Sequence, residues 1–134
     1  MGQPKKEGAT MFTDIRIIQT QDFIKATPEG QLDRENMKKL LREIASASAH
    51  LGDCQIILDT RKAQSVMSAS DLWSLAAELS NLGKAFSRKT AIICPRERFD
   101  RVGFFALCAQ NRGFLVNVFT SFEDAIEWLN AKGP

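Results

Sequence analysis

Three serines stand close together in "SVMSASDLW", at Ser65, Ser68 and Ser70. A hydroxyl there can accept a phosphoryl group or cap a helix, and the two uses make different demands on the neighbours. Ser68 with Asp71 three positions on is a capping pattern: the serine oxygen accepts from a first-turn N–H, and the acid reaches back. That leaves Ser65 in a loop and puts Ser70 in the first helical turn, pointing outward. A phosphate on Ser70 would gain about 0.3–1 kcal/mol from the helix dipole. Repulsion from Asp71 would cost on the order of 1 kcal/mol, so the two nearly cancel.

Other reactive side chains are sparse. His50 is the one histidine, placed where a helix ends, and imidazoles there interact with the last carbonyls. No nucleophile accompanies it, and "CxxC"-type spacing is missing from Cys54, Cys94 and Cys108. Neither a catalytic dyad nor a zinc site is expected, and the thiols read as reduced and buried. There is no Gly-rich phosphate loop and no nucleophile elbow. Asp59 and Asp100 fall near strand ends, but nothing in the spacing brings them together. Arg96, Arg98 and Arg101 flank the start of a helix and are candidates for holding a phosphate or carboxylate. Glu97 and Asp100 partly neutralise them, as in an ordinary solvated loop.

The elements that must position these residues follow from the apolar pattern. "TDIRII" and "DFIKATP" read as two short strands joined by "QTQ" into a hairpin. From Leu32 the period becomes helical, through Met37, Leu40, Leu41, Ile44 and Ser48, with Gly52 as the stop. "CQIILD" and "TAIIC" are continuous apolar runs suited to buried central strands. Between them Leu72, Leu75, Ala76, Leu79 and Leu82 form a second helix closed by Gly83. A third helix spans 99–111 and ends at Arg112-Gly113. "FLVNVF" is the last strand, and "TSFEDAIEWLNAKG" the last helix, with Thr120 and Glu123 as its capping box. Trp128 is expected to anchor the core.

The third helix is apolar without a break from Val102 to Ala109. One side must cover the sheet. The other would present Phe104 or Phe105, with Leu107 or Cys108, to a partner, a second copy, or an apolar ligand, with Phe104, Phe105 and Leu107 as the candidate surface.

The order is β-β-α-β-α-β-α-β-α, an α/β domain with a mixed sheet of four to five strands and an antiparallel edge from the hairpin. With 134 residues the chain suits one domain, expected over 12–134 after a disordered tail over 1–11. A net charge of +2 gives no reason to expect nucleic acid, and no apolar stretch approaches the roughly 20 residues of a membrane helix. "MGQPKKEGAT" lacks the apolar core of a secretory signal.

This order, with "GQLDRENMKKLL", "IILDT" and "VFTSFEDAIEWL", resembles the STAS superfamily, in its SpoIIAA-like (STAS/SEC14-like) branch. The resemblance runs from about Phe12 onward and implies helices mainly on one face of the sheet. Anti-sigma-factor antagonists of this superfamily carry a phosphorylatable serine in a motif like Asp-Ser-Ser-Gly-Leu. "VMSASDL" occupies that place: Ser70 falls opposite the modified serine, Ser68 replaces the aspartate, Ala69 the first serine and Asp71 the glycine. The resemblance implies a bacterial, cytoplasmic, non-enzymatic regulatory domain that needs no cofactor and binds a protein partner or itself. The alternatives it leaves open are a carrier of a lipid or small apolar ligand, and a phospho-switch at Ser70.

Overall fold

The computed structural model describes residues 15–19, 23–49 and 55–131, the first of these by backbone alone. The expected tail, His50, Gly52 and Cys54 lie outside the described residues. Strands β1 (Ile15–Gln19) and β2 (Phe23–Pro28) form the antiparallel pair, Ile17 opposite Ala26. β2 then runs parallel to β4 (Gln55–Asp59), β4 to β6 (Thr90–Ile93), and β6 to β7 (Val116–Phe119). The five-stranded sheet has the order β1-β2-β4-β6-β7. Its central strands are apolar on both faces, as strands covered on both sides must be.

Helices α1 (Arg34–Ala49), α2 (Ala69–Glu78) and α3 (Phe99–Asn111) lie on one face. Leu40, Ile44, Leu75, Phe105 and Ala109 meet Ile56, Leu58, Ile92 and Val116 there in the larger core cluster. The other face carries α4 (Phe122–Asn130), whose Ala125 and Leu129 pack on Ile57, Ala91 and Ile93. Trp128 is a partly buried member of this second cluster, tilted against Phe119 with ring centroids 5.6 Å apart. Lys89 reaches under the end of α4, its Nζ donating to Trp128 O at 2.9 Å and Ala131 O at 2.8 Å. A cation there satisfies carbonyls the helix leaves open and opposes its dipole.

Two details depart from the sequence reading. A miniature parallel sheet joins β3 (Gly30–Leu32) to β5 (Ala63–Ser65), outside the main sheet. The cap of α4 is Ser121, whose side chain accepts from the Asp124 N–H at 3.2 Å. Thr120–Glu123 and Ser121–Asp124 offer the same pattern one residue apart, and the helix begins at the second.

Candidate functional site

The carboxyl ends of the parallel strands, where ligands of open α/β sheets bind, gather most of the polar candidates. The segment after β4 leads through β5 to α2, and the segment after β6 leads to α3. Ser68 caps α2 as expected. Its oxygen accepts from the Asp71 N–H at 3.1 Å, and Asp71 Oδ2 accepts from the Ser68 N–H at 3.0 Å. Because Ser68 does the capping, the Ser70 hydroxyl stays uncommitted among the described residues, exposed in the first turn.

The three arginines take separate roles. Arg98 Nη2 donates to Thr60 O at 2.7 Å, tying the segment before α3 to the end of β4. Arg101 Nη1 donates to Met67 O at 2.7 Å, tying α3 to the strap before α2. Arg96 is exposed. Two of the three are thus braces on backbone carbonyls.

Asp59 is 5% exposed and engaged. Arg61 grips both of its oxygens, Nε to Oδ1 at 3.0 Å and Nη2 to Oδ2 at 2.8 Å, and the Arg61 N–H adds a third bond. Lys25 lies 3.9 Å away. Burial pushes the carboxyl up. The hydrogen bonds from Arg61 and the charges of Arg61 and Lys25 outweigh it and hold the pKa below the ordinary value. A carboxylate held this way is a poor proton acceptor, and Asp100 stands exposed on α3. Cys94 is fully buried, and burial pushes its thiol up, away from the reactive thiolate. Among the described residues no three histidine, cysteine or acidic side chains group as metal ligands. No helix among them is long and apolar enough to cross a membrane.

On α3 the continuous apolar run resolves into two sides. Phe105, Ala106 and Ala109 enter the core, Phe105 being 5% exposed. Phe104 is 38% exposed and Leu107 53%, on the side away from the sheet. Phe105 therefore leaves the expected contact surface: the sheet and α2 need a large side chain at that position of the helix. Trp73 on α2 is also exposed, with the Arg112 guanidinium 5.3 Å from its ring centroid, so the outer surfaces of α2 and α3 are continuous at this point.

Beneath the strap lies a feature that sequence reasoning missed. A cavity of about 40 Å³ is walled by Leu32, Met37, Leu58, Leu72, Ile92 and Phe105, among others. Thr60, Ser65 and Arg98 are its polar lining residues. A dry cavity of 150 Å³ holds benzene, so this one has no room for a long acyl chain. No local motif signals it, because its walls come from β3, α1, β4, β5, α2, β6 and α3.

No family model matches the sequence, and no curated protein matches it significantly. Solved structures do. An uncharacterized protein of the DUF3478 family from Shewanella loihica, with a SpoIIAA-like fold, superposes with a TM-score of 0.56 at 23% identity, over 91% of this chain and 99% of that one. An anti-sigma factor antagonist from Mycobacterium paratuberculosis gives 0.59 at 14% identity, over 88% and 94%. The phosphorylated form of the Bacillus cell fate determinant SpoIIAA gives 0.50 at 16%, over 87% and 100%. The chain has the SpoIIAA-like fold. At these identities the likeness is one of architecture.

Proposed function

We propose that this protein is a non-enzymatic regulatory domain that works by protein–protein contact through the outer side of α3, with a second copy of itself as the first partner to test. The observation that carries the reading is the exposure of Phe104 and Leu107, one helical turn apart, opposite the core-facing Phe105 and Ala109. A phenylalanine and a leucine at this spacing lie side by side on the helix and suit a contact surface. The two similar structures of anti-sigma-factor antagonist and cell-fate-determinant proteins support a regulatory setting. Light scattering across a concentration series tests it. The wild type is expected to shift from monomer to dimer, and Leu107→Glu to remain monomeric with its fold intact. A wild type that stays monomeric throughout contradicts self-association.

A second reading is favoured by one observation: Ser70 is exposed, uncapping and at the start of α2, and Arg101 reaches the carbonyl of Met67 just upstream. A phosphate on Ser70 would meet the helix dipole and a nearby guanidinium, set against Asp71. Incubation with host lysate and ATP, followed by site mapping, is expected to label Ser70. Labelling confined to Ser65, or none, contradicts the switch.

A further inference from the structure

The cavity beneath the strap has an asymmetry that a simple packing gap lacks. Apart from Thr60, its buried walls are apolar, while its half-exposed residues are Ser65, Met67, Arg98 and Val102. These four frame the mouth, and two of them are hydrogen-bond donors. Arg98 spends one N–H on Thr60 O and has four more. The Ser65 hydroxyl has no partner among the described residues. Thr60 Oγ1 is satisfied, donating to Ile93 O at 2.9 Å, and so belongs to the wall. The site is thus apolar within and cationic at the rim, at the carboxyl end of β4 and β6, where this architecture places ligands.

We propose that this cavity binds a short aliphatic carboxylate, its tail among Leu58, Leu72, Ile92 and Phe105 and its head on Arg98 and Ser65. The size fits. A water needs roughly 10–15 Å³ by this measure, so 40 Å³ takes a tail of about three carbons. The charge fits as well, since a guanidinium with free N–H groups recognises a carboxylate by paired hydrogen bonds. The bound molecule would lie under Met67, whose carbonyl Arg101 holds and whose neighbour Ser68 caps α2. Occupancy would therefore be felt at the start of α2. This inference is independent of contact through α3.

The test is a heteronuclear NMR titration of the full chain with sodium butyrate. Acetate has the head without the tail, and butylammonium the tail with the opposite charge. Butyrate is expected to shift the amides of Ser65, Met67, Arg98 and Val102 with a Kd on the order of 1 mM, as so small a ligand allows. Acetate and butylammonium should bind roughly tenfold more weakly or worse. Arg98→Gln should weaken butyrate by about tenfold and should not weaken butylammonium, whose like charge it no longer opposes. Val102→Phe, which fills the mouth without touching the Thr60 brace, should abolish the shifts in a folded protein. Equal binding of butyrate and butylammonium, shifts that survive Val102→Phe, or no shifts with butyrate would each overturn the proposal. If Arg98→Gln does not fold, Val102→Phe and the ligand series decide.

Discussion

Asp59 shows how a buried charge is made tolerable at the end of a central strand. An ionised carboxylate this deep needs partners, and Arg61 supplies three hydrogen bonds from two residues away. The folded pKa is depressed, so the stabilisation is present above the unfolded value, about 3.9, and is lost as the pH falls through the folded value. Asp59→Asn is expected to cost about 1–2 kcal/mol at neutral pH, discounted because Arg61 is 42% exposed. The same variant should show a shallower loss of stability on acidification, as read by urea denaturation at several pH values. An acid limb unchanged from wild type contradicts this account of Asp59. At the residue scale, legibility tracked how local the signal is. Ser68 and Asp71 carry both halves of their motif within four residues, and the structure matches them. Phe104 and Phe105 sit side by side in a run apolar throughout, so the sequence holds no contrast to say which one enters the core.

Among the elements, the outer edge of β7 limits where partners can dock. In this parallel pairing the N–H of Val118 and the carbonyl of Val116 point away from β6. Asn117 Oδ1 accepts from the Val118 N–H at 2.9 Å, and Gln110 Nε2 donates to Val116 O at 2.7 Å. Two of the four outward-pointing backbone groups of Val116 and Val118 are thus occupied by side chains, which discourages strand addition. Replacing them together, Gln110→Leu with Asn117→Ala, should expose the edge and promote association by strand pairing, seen as growing light scattering on concentration. A double variant that behaves like wild type would mean that the side chains do not guard the edge. The main strands and helices were readable because each is long enough to display its period. The β3–β5 pair was not: three residues a side show no period, and α1 and β4 separate the partners along the chain.

For the whole molecule, alternating strands and helices after a hairpin dictate a mostly parallel sheet with one antiparallel edge, and the structure has that arrangement. What the alternation does not encode is the space left between layers. The cavity under Met67 arises from seven elements at once, and no stretch of sequence describes it. The proposed contact surface of the molecule is the outer side of α3. A dilution series followed by heteronuclear NMR tests it residue by residue. Phe104, Leu107 and their neighbours on α3 are expected to shift or broaden as concentration rises, while the amides of β7 stay fixed. Spectra independent of concentration, or changes centred on β7 instead of α3, would contradict the claim.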